Sequence, residues 1–202
     1  MTASNRPETH KRFLTNLSAG NQVEVYMSEW LKEGGNGVID IWSLPSVNGK
    51  GPRLKTSDGD IPLPDFLIFF RGEVWWVEVK YKTEFTYYKI EQQWQEGIDL
   101  NLWDSYKAIY QYTGLEVWLT FVNSPETAPE KDAPPIPPPG IYTQRVSVLS
   151  ELLEKESPKR CHVYKGQALH GMVYWDLDAF IRIGEFPKEL LGRLETSNEE
   201  VE

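Results

Sequence analysis

The stretch LPDFLIFFRGEVWWVEVK, residues 63–80, decides how this sequence is interpreted. Its two apolar runs are separated by Arg71 and Gly72. If these are the two loop residues of a hairpin, Asp65 faces Glu78 across the strands. Side chains directly opposite in an antiparallel pair have Cβ atoms about 4.5–5.5 Å apart, where like charges are unfavourable. Two carboxylates at the end of an apolar hairpin therefore need a cation, which makes this a candidate catalytic site.

The residues around the two carboxylates are those that metal-assisted hydrolysis requires. Mg²⁺ is usually held by one or two carboxylates together with substrate phosphate, and Asp65 and Glu78 offer that pair. Side chains alternate along a strand, so Lys80 shares a face with Glu78 while Val79 points away. The Lys80 ammonium can then hold the attacking water or help to deprotonate it, and the Val79 carbonyl can add an oxygen ligand. Hydrolysis of a phosphodiester needs such a metal and an oriented nucleophile.

A helix is predicted upstream of the hairpin. Ser18 is a suitable N-cap, and Gly34 and Gly35 tolerate the positive φ that ends a helix. Apolar residues recur along it at three- and four-residue steps, namely Val23, Tyr26, Met27, Trp30 and Leu31. Glu24 lies at the edge of this stripe, so we expect its carboxylate to point partly inward.

The remaining pattern predicts an α/β fold. A β-branched and aromatic run at 37–44 predicts a strand, and residues 45–62, rich in Gly, Pro, Ser and Asp, predict a loop. The hairpin is apolar on both faces, as in the middle of a covered sheet. After Lys82 the pattern is that of a helix, capped by Asp99 or Asn101 and closed by Gly114. A strand at 115–122 follows. The predicted fold is a three-layer α-β-β-β-α-β core with a mixed central sheet.

The C-terminal part is predicted to extend this core. Seven prolines lie between Pro125 and Pro139 and exclude regular structure there. We therefore divide the chain into a core at 1–123, a Pro-rich loop at 124–140 and a C-terminal extension at 141–202 packed on the core. In the extension, 141–153 predicts a strand and a short helix, and 172–183 a strand with a short helical end. An acidic tail closes the chain at 195–202.

Composition limits the compartment. The chain has 202 residues, a formal charge of −9 and a single cysteine, Cys161. No intramolecular disulfide is therefore available, which favours a reducing compartment. The N-terminus has no apolar run of the signal-peptide kind, and no segment approaches the ~18 apolar residues of a membrane span. We expect a cytoplasmic protein.

Pro64-Asp65, twelve intervening residues and Glu78-Val79-Lys80 resemble the motif of the PD-(D/E)xK nuclease superfamily, which has the restriction-endonuclease-like fold. The resemblance covers roughly residues 18–122. It implies an Mg²⁺- or Mn²⁺-dependent endo- or exonuclease with DNA as the expected substrate, and with Asp65, Glu78, Lys80 and Glu24 as catalytic residues. In such families a glutamate on the first helix often joins the metal site, and Glu24 stands in that place. Nucleases of this fold often dimerise to cut both strands, which implies a homodimer.

One feature departs from the family pattern. Some members carry Gln-x-x-x-Tyr after the lysine, and none of Gln92, Gln93 or Gln95 is followed by tyrosine at that spacing. Three residues of the following helix are candidate substitutes, namely Tyr106, Lys107 and Tyr110.

A nucleic-acid substrate also requires local positive charge, because the total charge is negative. Basic residues flank the motif: Lys50, Arg53, Lys55, Lys82 and Lys89. Lys82 lies two positions beyond Lys80 on the same strand face, where it could contact a phosphate. Arg53, Lys55 and Lys89 are the other predicted nucleic-acid contacts.

Two other functions are compatible with the residues. A catalytically lapsed nucleic-acid-binding or assembly module on the same fold is favoured by the acidity and by the absent Gln-x-x-x-Tyr. A glycosidase would use two carboxyl groups about 5–5.5 or 6.5–9.5 Å apart and would not require Lys80.

Overall fold

A computed structural model describes residues 6–34, 40–43, 51–125, 127–129, 131–155 and 171–190. For residues 6–17 and 40–43 only the backbone is described. Lys50, Cys161 and the acidic tail at 195–202 lie outside the described residues, so the expectations attached to them stay predictions.

Helices and short strands make up most of the described chain. The helices are α1 (Arg6–Gly34), α2 (Leu100–Thr113) and α3 (Val146–Lys155). The strands are β1 (Asp40–Ser43), β2 (Arg53–Thr56), β3 (Gly59–Pro62), β4 (Phe66–Phe70), β5 (Glu73–Lys82), β6 (Thr86–Tyr88), β7 (Gln93–Asp99), β8 (Val117–Asn123), β9 (Gly140–Arg145), β10 (Met172–Asp176) and β11 (Ile181–Glu185). A 3-10 turn spans Leu177–Ala179.

The predicted hairpin is confirmed. β4 and β5 pair antiparallel with Phe70 opposite Glu73 and Phe66 opposite Val77. Arg71 and Gly72 have φ of 50° and 84°, and positive φ at both central residues is what a type I′ hairpin turn requires. This turn fixes the register that brings Asp65 and Glu78 to the same end of the hairpin.

The hairpin lies inside a six-stranded sheet of order β1-β4-β5-β8-β9-β11. Among the described strands, β5 and β8 are the one parallel pair, and the other neighbours in this sheet are antiparallel. Along the chain, α1, β1, β4, β5, α2 and β8 follow the predicted α-β-β-β-α-β order. The predicted α/β fold with a mixed central sheet is therefore confirmed.

The sheet separates two apolar cores. On one face, α1 packs Val23 and Met27 against Val77 and Val79 of β5. On the other face, α2 and α3 pack with the second sheet, whose order is β10-β7-β6. Because side chains of β5 alternate, Glu78, Lys80 and Lys82 face this second core, where β7 and α2 lie.

Three local predictions were wrong. The helix does not begin at Ser18. It begins at Arg6, where Pro7 suits a first turn, and no residue between them breaks it. The predicted loop contains the β2–β3 hairpin, whose turn uses Gly59 at φ 123°. The segment after Lys82 forms β6 and β7 before α2 begins, because packing between two layers, and not apolar periodicity, holds these polar strands.

Other boundaries agree with the sequence predictions. Asp99 is the N-cap position of α2, and Gly114 ends that helix at φ 68°. Residues of the C-terminal segment form β9 and β11 in the central sheet and β10 in the second sheet. The division of the chain into domains stays a prediction. Among the described residues, none of the helices combines the length and the apolar character needed to cross a bilayer.

Candidate active site

The two predicted carboxylates meet where β4 begins. Asp65 immediately precedes β4 and follows the buried Pro64, and its Oδ2 accepts a hydrogen bond of 2.8 Å from the backbone N–H of Val79. Glu78, the residue before Val79, is 3% exposed. The hairpin therefore places the Asp65 carboxyl beside the strand segment that carries Glu78, as the register predicts.

Lys80 completes the group from the same strand. Its ammonium forms an ion pair with Glu78 Oε1, and its side chain is 31% exposed. Burial alone would lower the pKa of Lys80, but the neighbouring Glu78 and Asp65 carboxylates raise it above its ordinary value. Lys80 is therefore a permanent cation in the metal-free protein and partly accessible to solvent.

Glu24 joins the group from α1. Its side chain is half-buried, and it interacts electrostatically with Lys80 and Glu78. Burial raises the pKa of Glu24, Lys80 opposes this rise, and Glu78 adds to it. The structure therefore brings together all four predicted catalytic residues, Glu24, Asp65, Glu78 and Lys80.

The electrostatics of Asp65 show that the group has more negative charge than it can neutralise. Burial, followed by repulsion from Glu78, raises the pKa of Asp65 from 3.8 to about 8, although Lys80 and the Val79 N–H favour its ionised form. One lysine thus serves three carboxyl groups. A bound divalent cation would relieve this excess, so the donor set fits a hard metal ion.

The described residues do not form a ready-made metal cage. No group of three or more His, Cys, Asp or Glu side chains among them is arranged to hold a metal ion. Mg²⁺ does not need such a cage, because it commonly keeps several waters and takes one or two carboxylates plus substrate phosphate. Asp65 and Glu78 meet that requirement, with Glu24 and the Val79 carbonyl as additional candidates.

No family model matches the chain, and no curated protein matches it. Among solved structures, the chain is similar to Hjc, a Holliday junction resolvase from the archaeal hyperthermophile Archaeoglobus fulgidus. The match has 11% sequence identity and a TM-score of 0.42, and covers 81% of this chain and 95% of that chain.

The fold is established by the chain's own topology. Its α-β-β-β-α-β core carries Asp65, Glu78 and Lys80 on the central hairpin. This α/β topology with a mixed central sheet is the one that the PD-(D/E)xK resemblance predicts.

Tyr106 of α2 is a further member of the site. It is 1% exposed, and its hydroxyl hydrogen-bonds to Glu78. Burial, and then the Glu78 carboxylate, raises the pKa of Tyr106 well above its ordinary value, so the hydroxyl remains a proton donor. Of the three candidate substitutes for Gln-x-x-x-Tyr, Tyr106 is therefore the one that contacts the site. Tyr110 is 40% exposed, and Lys107 pairs with Asp104 at 2.8 Å.

The predicted basic flank is divided among several elements. Arg53 and Lys55 are exposed on β2, where Arg53 Nη2 donates to the Asp60 carbonyl at 2.7 Å. Lys89 is exposed just after β6. Lys82 is the member nearest to the site along the chain, and its Nζ donates to the Gly97 carbonyl at 2.7 Å. The nucleic-acid roles of these residues stay predictions.

Two buried residues near Lys82 were not identified from the sequence. Glu96 of β7 is 1% exposed and Asn123 of β8 is 0% exposed. Both lie in segments that carried no motif. Glu96 follows Gln95 in a polar run that does not resemble a buried strand, and Asn123 ends an otherwise apolar one.

Proposed function

We propose that this chain is a metal-dependent nuclease that hydrolyses phosphodiester bonds in DNA, with Mg²⁺ or Mn²⁺ as the cofactor. The observation that carries the proposal is the convergence of Asp65, Glu78 and Lys80 on one hairpin, through the Asp65–Val79 hydrogen bond and the Glu78–Lys80 ion pair. Catalysis of this kind requires carboxylates and a cation at one place, whereas an ordinary surface ion pair between Glu78 and Lys80 would not need the half-buried Asp65 beside it.

Each residue has a distinct role in the proposal. Asp65 and Glu78 would hold the cation, with Glu24 and the Val79 carbonyl as further oxygen ligands. A bound divalent cation neutralises phosphate charge and lowers the pKa of a bound water. Lys80, partly exposed and paired with Glu78, orients the attacking water. Tyr106 fixes the Glu78 carboxylate from the side of α2.

The substrate assignment depends on charge. DNA is bound mainly through its phosphates, so a basic surface near the site is required. Lys82, Arg53, Lys55 and Lys89 are the residues that we propose for this role. Cleavage of both strands of a duplex would need two sites, and we propose a homodimer for that case.

A cleavage panel tests the function. Purified protein is incubated with duplex, single-stranded and branched DNA, and with RNA, in Mg²⁺, in Mn²⁺ and in EDTA. We expect DNA cleavage that requires a divalent cation and stops in EDTA. If none of these DNA forms is cut with either metal, the proposed nuclease function is wrong.

A catalytically lapsed nucleic-acid-binding or assembly module on the same fold is the second candidate. It is favoured by the ion pair between Lys80 and Glu78, in which the ammonium occupies an oxygen of a proposed metal ligand. Calorimetric titration with Mg²⁺ separates the two candidates. A nuclease should show binding that Glu78→Gln weakens, whereas a lapsed module should show no binding that depends on Glu78.

Tyr106→Phe is expected to lower kcat for DNA cleavage by about tenfold, with little change in KM. The substitution removes one hydrogen bond to a charged carboxylate, which is typically worth about 1.5–3 kcal/mol. Part of this is recovered by the remaining Lys80 contact. Tyr112→Phe is the matched control on the same helix, because Tyr112 is 47% exposed and donates to Asp58. Equal kcat values for the two variants would contradict a role for Tyr106.

A further inference from the structure

A second group of polar side chains lies beside the candidate active site, where β5 and β8 end. Lys82 and Asn123 are neighbours in the parallel register of these strands. Glu96 approaches them from β7 in the opposing sheet and interacts electrostatically with Lys82. We call Lys82, Glu96 and Asn123 the Lys82 cluster. None of the three belongs to the metal-ligand set proposed above, and Lys82 is one of the DNA-contacting residues proposed there.

Several atoms of the Lys82 cluster lack hydrogen-bond partners within the described part of the chain. They are Glu96 Oε1 and both amide atoms of Asn123, Nδ2 and Oδ1. Asn123 lies close enough to favour the ionised form of Glu96 without reaching full hydrogen-bonding geometry. Buried polar atoms are nearly always paired, with protein or with ordered water. Three unpaired atoms at one place therefore indicate a bound molecule, and their mixed donors and acceptors suit water.

The electrostatics of the cluster show that burial disfavours the charged form of Lys82. Burial lowers the pKa of Lys82, Glu96 and Asp99 oppose this shift, and the nearby Lys80 adds to it. Burial raises the pKa of Glu96 to about 8, so near neutral pH this carboxyl is mostly uncharged. The direct contacts of the Lys82 ammonium are the Gly97 carbonyl at 2.7 Å and the Phe121 ring at 5.5 Å, and Glu96 and Asp99 act on it through longer-range electrostatics.

The position of Lys82 relative to Lys80 indicates which anion would complete the cluster. The two lysines lie on the same face of β5, two residues apart, which is about 6.6–6.8 Å along a strand. Neighbouring phosphates on one nucleic-acid strand are separated by a distance of the same order. Lys82 is also only partly buried as a residue. Because Lys80 lies beside the proposed cleavage site, Lys82 lies about one phosphate spacing further along the strand.

We propose that Glu96 and Asn123 are positioning residues that, together with one ordered water molecule, hold Lys82 against the phosphate adjacent to the one that is cleaved. This inference rests on the proposed nuclease function and adds to it a second phosphate subsite with its own supporting residues. Lys82 makes the contact with the substrate. Glu96 and Asn123 act through Lys82 and do not touch the DNA.

The test compares KM, kcat and the salt dependence of DNA binding among variants. Lys82→Met is expected to raise KM about 5–10-fold with kcat within about twofold, and to reduce the slope of log Kd against log salt by about 0.9. Glu96→Ala and Asn123→Asp are expected to raise KM at least threefold in the same way. Glu96→Gln retains the shape and the neutral polar group and should restore KM. DNA affinity is measured in EDTA so that no cleavage occurs.

Thermal unfolding is measured for each variant. Lys155→Met is the matched control, because among the described contacts this exposed lysine pairs only with Glu151, at 3.0 Å. Wild-type cleavage with an unchanged KM and salt slope in Lys82→Met overturns the subsite and leaves the nuclease function intact. Glu96→Ala and Asn123→Asp proteins that lose stability but keep KM overturn the positioning role. If the wild-type chain neither cuts nor binds DNA, both proposals fail together. If Glu96→Ala does not fold, the positioning role is tested by comparing the KM of Asn123→Asp with that of Glu96→Gln.

Discussion

Replacing Lys80 with methionine is expected to lower the rate of DNA cleavage by about 10²–10⁴-fold, the range found when a residue that moves or orients a proton is removed. Glu24, Asp65 and Glu78 form a cluster of three carboxyl groups. Among the interactions described for this cluster, Lys80 is the only cation. No neighbouring side chain of that group can take over the water. DNA affinity in EDTA should fall only by the loss of one phosphate contact.

Stability must be measured with this variant, because Glu78 would lose its ion partner. Glu78 is 3% exposed, and removing one partner of a buried ion pair typically costs about 3–5 kcal/mol. The double variant Glu78→Gln/Lys80→Met removes both charges and should recover most of this loss while remaining inactive. Lys131→Met, at an exposed position in the Pro-rich segment, is the control. Cleavage by a folded Lys80→Met protein at the wild-type rate would exclude Lys80 from catalysis.

The sequence predicted the part of the site that local rules determine. A two-residue turn at Arg71 and Gly72 has one register, and that register alone brings Asp65 and Glu78 together. Strand alternation then places Lys80 beside Glu78. These relations depend on residues within 16 positions of one another, so no knowledge of the remaining fold was needed.

What the sequence could not supply comes from contacts between distant segments. β7 has the polar sequence QWQEGID, yet five of its seven residues are buried, because the second sheet and α2 enclose it. Burial of Glu96 is therefore a tertiary effect that periodicity does not reveal. The same holds for Tyr106. Its place on the apolar stripe of α2 was visible, but its hydrogen bond to Glu78 depends on how α2 crosses the sheet.

Asp65→Asn is expected to abolish metal-dependent cleavage and, at the same time, to stabilise the metal-free protein. The cleavage loss follows because an amide is a poor substitute for a carboxylate ligand of Mg²⁺. The gain in stability follows because burial and Glu78 raise the pKa of Asp65 from 3.8 to about 8. At neutral pH the fold must either bind a proton at Asp65 or bury its charge, and asparagine removes this cost. The Val79 N–H retains an acceptor in the amide oxygen.

The pKa shift of Asp65 determines how the stability difference between the wild type and Asp65→Asn changes with pH. The folded state binds a proton at Asp65 more tightly than the unfolded state, so stability falls as pH rises from about 4 to about 8. The wild-type and Asp65→Asn proteins should therefore unfold at similar temperatures near pH 4 and diverge toward pH 8. A difference of about 2 kcal/mol at pH 8 corresponds to roughly 4–8 °C in Tm for a chain of this length. Glu96 titrates in both proteins and cancels in the comparison.

Thermal unfolding in EDTA at about pH 4 and about pH 8 provides the measurement. Added Mg²⁺ should stabilise the wild-type protein at pH 8 and leave Asp65→Asn unchanged, because a ligand stabilises only the state that binds it. An Asp65→Asn protein that is less stable than the wild type at pH 8 would show that Asp65 is a structural residue. In that case its hydrogen bond to Val79, and not a metal, would explain its burial. If Asp65 is a metal ligand, Asp65→Asn should be more stable than the wild type in EDTA at pH 8. Added Mg²⁺ should remove this difference by stabilising the wild type.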